Sequence, residues 1–213
     1  MKKEKEKIEY RGILCDSMEE KYFLMWAFEL KEAGYISKIE RAPSFKLTDG
    51  WVNEYEEQLK TKTKVKTQTI LQDSEYTPDI LLTFEDYDMR LAWQRPYYNK
   101  EKYTELFVGT NSAEVYRALN GKYDSNTRNF HPQALIEVKS EYNMQNMIRV
   151  FGLNQKFMHY RYGVYVNLVK IPKFFEQTFV PKEYLKTDIS GKDRKINFKY
   201  VLIEEYLKNI EKQ

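Results

Sequence analysis

A single cysteine, Cys15, in 213 residues excludes an intramolecular disulfide and any zinc site built on several thiolates. Histidine is nearly as scarce: His131 and His159 are the whole supply, so a histidine-rich metal centre is not expected. Any metal should then be a hard cation held by carboxylate oxygens, Mg²⁺ being the typical case. No apolar run approaches the roughly 20 residues that cross a bilayer. The charged opening Met1–Lys7 is followed by no apolar stretch of the kind a signal peptide needs. These absences together lead to the expectation of a reduced, soluble, cytoplasmic protein with no membrane partner. Charge of one sign is also missing. A net charge of +3 supplies little long-range field, so a nucleic-acid partner would have to be met by lysines and arginines gathered locally.

What the chain does have is aromatic side chains, 18 Tyr and 12 Phe among them, which argues against a disordered polymer. An apolar fraction of 42% is enough for one real core, and the length fits one domain carrying an insertion or appendage. Ser17 followed by Glu20 has capping-box spacing, an apolar run begins at once, and Gly34 closes it; a helix over about 17–33 is predicted. Residues 36–39 and 45–47 read as strands, 51–59 are ambiguous, and Lys60 to Lys66 places lysine at every second residue. Tyr76-Thr77-Pro78 opens an apolar strand over 79–84. A second short strand is expected over 134–139, a helix over 142–160, an apolar strand over 162–171 and a last helix near 201–211.

Two phrases carry chemistry: Pro78-Asp79 and Glu137-Val138-Lys139. Strand side chains alternate, so Glu137 and Lys139 share one face while Ile136 and Val138 share the other. Asp79 and Glu137 can hold one or two divalent cations on a phosphate, and Lys139 can position water and offset developing negative charge.

In that combination the sequence resembles the PD-(D/E)XK nuclease superfamily, which includes restriction endonucleases and junction resolvases. The likeness spans roughly residues 10–171 and includes Cys15-Asp16-Ser17-Met18-Glu19-Glu20 and Tyr76-Thr77-Pro78-Asp79-Ile80-Leu81-Leu82, phrases similar to those of phage members. The resemblance implies an α/β, restriction-endonuclease-like core: helix, three-strand meander, helix, strand, with a mixed central sheet. Residues 1–171 would form this core with an insertion at about 85–131, and 172–213 a C-terminal extension packed on it. It also implies a phage-like, structure-specific or general DNA endonuclease that depends on Mg²⁺, with Mn²⁺ as a substitute, in a bacterial cytoplasm or a phage-infected host cell. Asp79, Glu137 and Glu20 would be metal ligands, Glu19 standing in reserve for Glu20, and Lys139 would complete the catalytic set. A homodimer would suit cutting of two strands. One departure stands out: 57 residues separate Asp79 from Glu137, more than the family commonly uses. Either 85–131 is an insertion, or the two half-motifs pair by accident.

Blander roles compete at each position. Glu20 also serves as a capping residue. Glu137 and Lys139 would matter little as a surface pair, though Ala134-Leu135-Ile136 argues for a buried strand where idle charge is costly. The lysine alternation, including Lys62 and Lys64, suits edge-strand protection as well as phosphate tracking. Gln155 and Lys156, on the helix after Glu137, are candidate phosphate contacts or a solvated face. Residues 85–131 interleave basic and aromatic side chains as a nucleic-acid clamp would, and His131 precedes the catalytic strand. The rival function is a non-catalytic nucleic-acid-binding or assembly protein that keeps the nuclease fold.

Overall fold

The computed structural model describes residues 8–85, 133–140, 144–162, 164–187 and 190–211. Ile8–Tyr10 (β1) and Ile13–Cys15 (β2) form a hairpin around Arg11 and Gly12, both at positive φ, which is the turn geometry that matches strand twist. Helix α1 (Met18–Glu32) starts where the sequence signals place it. The Ser17 hydroxyl accepts the Glu20 backbone N–H at 3.2 Å. At the other end Gly34, at φ 82°, allows its own N–H to reach Lys31 O while that of Tyr35 reaches Leu30 O, the Schellman closure.

The chain continues through β3 (Ile36–Arg41), β4 (Phe45–Thr48), β5 (Trp51–Gln58), β6 (Thr63–Leu71), β7 (Ser74–Tyr76) and β8 (Ile80–Phe84). After the segment 86–132 come β9 (Gln133–Ser140), α2 (Met144–Tyr162), β10 (Val166–Ile171), the short α3 (Lys173–Gln177) and α4 (Ile203–Glu211). Four strands make a central mixed sheet in the order β10-β9-β8-β3. The meander β3–β8–β9 is antiparallel, and β10 lies parallel to β9, the crossover being made by α2. The protein is thus mixed α/β with a mixed sheet.

Alternation along the strands divides the core in two. Ile80, Leu82, Phe84, Ala134, Ile136 and Val138 face α1. That helix is itself covered from outside by the chain after β10, through Phe174, Phe175, Phe179 and Tyr184, which is why it is buried nearly all round. On the opposite face Leu81 and Leu135 pack with Met158 of α2 and with Phe45, Leu47 and Tyr76 of the β4–β7 pair.

Two sequence-based boundaries shift. Tyr162 does not open the last strand; it ends α2, where its hydroxyl donates to Lys46 O at 2.7 Å, and β10 begins only at Val166. Residues 51–59, ambiguous by pattern, form β5, which pairs only with β6 among the described residues. The expected insertion at 85–131 falls, beyond Glu85, outside the described residues. Among the described residues an excursion, residues 42–79, lies between β3 and β8. No helix among the described residues is long and apolar enough to cross a membrane.

Candidate active site

Register brings the two half-motifs together. Ile80 pairs with Ile136, so Asp79 lies one residue before that pair on β8 and Glu137 one residue after it on β9. Both carboxylates then emerge at the same end of the sheet. The Asp79 N–H bonds to Ile136 O at 2.9 Å, and its Oδ2 accepts the Val138 N–H at 2.7 Å, which fixes the side chain. Glu137 is buried, 6% exposed, and held from two sides. Tyr76 donates its hydroxyl to Oε2 at 2.8 Å, and Lys139 Nζ lies 2.5 Å from Oε1. Glu137 and Lys139 share a face, as strand alternation requires.

Glu20 approaches from the start of α1. Its Oε2 accepts the Asp16 N–H at 3.1 Å and the Arg41 guanidinium at 2.8 Å, while its Oε1 accepts the Ser17 hydroxyl at 3.1 Å. Capping and ion pairing therefore coexist in one side chain. Arg41, the last residue of β3, also pairs with Asp16 at 3.1 Å. It is 38% exposed at its side chain, against 6% for Glu20, so it opens to solvent where Glu20 does not.

The carboxylates raise one another's energy. Burial first, then the charges of Glu137 and Glu20, push the Asp79 carboxyl up to about 7; the Val138 N–H and Lys139 pull the other way without prevailing. Burial and then the Glu137 charge hold Tyr76 firmly in its protonated, donating form. Around Arg41, burial opposes the charge but Glu20, Asp16 and Asp79 outweigh it and raise its pKa. The negative charge gathered around Asp79 is what a divalent cation bound there would relieve.

The donor set suits a hard cation. Asp79 and Glu137 offer oxygen only, and Mg²⁺ is commonly held by one or two carboxylates with water and phosphate oxygens completing the shell. No group of three or more His, Cys, Asp or Glu side chains gathered for a metal occurs among the described residues. A two-carboxylate site does not need one. Each Glu137 oxygen has one partner and retains a lone pair to offer.

The remaining candidates lie elsewhere. Gln155 uses its carbonyl to accept the Val166 N–H at 2.8 Å, tying α2 to β10. Lys156 is exposed on α2, and Lys62 and Lys64 belong to the β5–β6 ribbon. Glu19 is partly buried beside Glu20 on α1. His131 and the basic-aromatic segment up to it are outside the described residues. Two members of the cluster escaped the sequence reading: Arg41 and the site role of Tyr76. Arg41 is opposite Ile80 in the β3–β8 register, which no local pattern announces. Tyr76 stood within the Pro78-Asp79 phrase, and its proximity to that motif was the one usable signal. No known family, curated protein or solved structure matches this chain.

Proposed function

We propose that this chain is a divalent-cation-dependent nuclease that hydrolyses phosphodiester bonds in DNA, built on a restriction-endonuclease-like core. The observation that carries the reading is the emergence of Asp79 and Glu137 at the same end of the sheet, across from each other just beyond the antiparallel Ile80–Ile136 pair, with Lys139 ion-paired to Glu137. Support also comes from the element order: helix, three-strand antiparallel meander, helix, parallel strand.

In this reading Asp79 and Glu137 hold Mg²⁺, which when bound polarises the phosphate and lowers the pKa of its water. Val138 fixes Asp79 through its N–H, and Tyr76 fixes Glu137 through its hydroxyl. Lys139, 22% exposed at its side chain, keeps a cation where negative charge develops and orients the attacking water. Glu20 acts through Arg41: it anchors a guanidinium at the open side of the cluster, where a phosphate would arrive.

The test is cleavage of supercoiled plasmid and of a four-way junction with Mg²⁺, Mn²⁺ or EDTA. Wild type should nick in either metal and not in EDTA. Glu137→Gln, which retains an acceptor for Tyr76, should lose roughly two orders of magnitude or more in rate. Equal cleavage by wild type and variant would end the assignment. One observation favours a second reading: both Glu137 oxygens already have partners, as in a site that has closed on itself. A non-catalytic nucleic-acid-binding protein with this fold would bind DNA and cleave neither substrate.

A further inference from the structure

The β5–β6 ribbon presents its side chains to solvent on both faces. All its residues are exposed except Glu57 and Lys66, which partly cover each other through an ion pair of 2.5 Å. An isolated two-stranded hairpin is marginal in water, and this one pairs with no other strand among the described residues. Trp51 and Tyr55 remain 60% and 43% exposed on it.

Its two faces differ in chemistry. From Val52↔Thr69 to Gln58↔Thr63 the register is regular, so residues alternate strictly between them. One face carries Glu54 and Glu56 opposite Thr67 and Val65, and no lysine. The other carries Asn53 opposite Gln68, Tyr55 opposite Lys66 and Glu57 opposite Lys64. Lys62 extends that second face into the turn, where its carbonyl accepts the Leu59 N–H at 2.9 Å, and Lys60 sits at the tip. Lys60, Lys62 and Lys64 make no ion pair with any described residue. The lysine alternation is therefore a one-sided basic surface, tempered at its middle by Glu57.

We infer that the β5–β6 ribbon is a DNA-binding arm that lays its Lys62–Lys64 face into the major groove of B-form duplex. The inference deepens the nuclease reading by naming how the substrate is held, and rests on it for the choice of DNA as ligand. Charge complementarity selects the face, since lysines can meet phosphates while Glu54 and Glu56 point away. Asn53 and Gln68, opposite each other on that face nearer the base of the ribbon, have the paired donor and acceptor that reads a base edge. Dimensions agree as well. A two-stranded ribbon fits a groove about 12 Å wide, and eight residues span about 26 Å at ~3.3 Å each. A-form RNA closes its major groove to such an element. Pairing of the ribbon with a second copy is disfavoured by lysines along its edge.

Binding of labelled duplex DNA, followed by anisotropy in EDTA across a salt series, separates these cases. The variant is Lys60→Ala/Lys62→Ala/Lys64→Ala, compared with Lys31→Ala/Lys173→Ala/Lys195→Ala, which removes the same charge from exposed positions elsewhere. The ribbon variant should bind roughly tenfold or more weakly, with a salt slope shallower by about 3, near 0.9 per lost phosphate contact. Thermal stability should be unchanged, and the control should bind like wild type. Equal losses in both variants, or none in the ribbon variant, would overturn the arm. So would parallel losses on A-form RNA and single strands, or a wild-type dimer that the ribbon variant breaks while its DNA binding persists. Absence of metal-dependent cleavage together with lost binding in the ribbon variant would sink the nuclease and leave the arm standing. Cleavage with unaltered binding would do the reverse.

Discussion

On one face of the central sheet Trp26 sits within 4.7 to 5.6 Å, ring centre to ring centre, of Phe23, Phe174 and Phe179. On the other, the apolar packing of Leu81, Leu135 and Tyr76 is interrupted by Thr83–Gln133 hydrogen bonding and then by Asp79 and Glu137. The two faces share the same strands, so the contrast comes from alternate residues of one sequence. The α1 face is assembled from distant parts of the chain, residues 15–30 and 174–203, and binds them by area burial. The α2 face gives up part of that burial to hold carboxylates that repel one another. Apolar burial is concentrated on one side and the buried carboxylates on the other.

The comparison can be broken most directly at Trp26. Trp26→Ala should cost about 3–5 kcal/mol in urea unfolding, as deletion of a fully buried aromatic does. A loss of less than 1 kcal/mol would mean that the aromatic face is not where stability resides.

The opposite face should respond to pH with the reverse sign. Asp79 has its pKa raised from 3.8 to about 7, so the folded state holds this proton more tightly than the unfolded chain. Its contribution is fully present below pH 4 and is lost as pH rises through about 7, a span of about 4 kcal/mol in metal-free protein. Asp79→Asn should flatten that part of the stability profile while its amide oxygen still accepts the Val138 N–H. Mg²⁺ should raise the Tm of wild type at pH 8, weakly at pH 6 where the proton competes, and leave the Asn variant unmoved. A variant profile parallel to that of wild type would locate the strain elsewhere.

Much of this face was legible in advance, for definite reasons. Asp79 and Glu137 stood out because each is an acid set against an apolar strand, and period two placed Lys139 beside Glu137. Helix α1 was legible from Ser17, Glu20 and Gly34 because capping is local chemistry. Arg41 was not, because its place beside Glu20 depends on how β3 registers with β8, a non-local fact. Gln155 looked free for phosphate on its helix; its bond to Val166 is likewise a tertiary contact. The ribbon was missed as a hairpin since β5 mixes acids and aromatics without alternation, and its turn, Lys60-Thr61, lacks the Gly or Asn that announces one.

The finest cut between the two faces runs through Glu20, which caps α1 and also holds Arg41 at the site. Two substitutions separate those duties. Ser17→Ala removes the hydroxyl that caps the Glu20 N–H and donates to Glu20 Oε1, but leaves Oε2, the oxygen that holds Arg41; it should cost about 1 kcal/mol while leaving cleavage or DNA affinity as it was. Glu20→Gln keeps an oxygen for the Asp16 N–H but removes the charge that Arg41 neutralises. Its stability cost should be of similar size. On the proposed reading its effect on the site should be larger, because Arg41 would lose its anchor and Asp79 one repelling neighbour. The reading is thus a ratio: loss of activity per unit loss of stability, high for Glu20→Gln and near zero for Ser17→Ala. Equal ratios would return Glu20 to the helix alone and leave Asp79, Glu137 and Lys139 as the whole of the charged site.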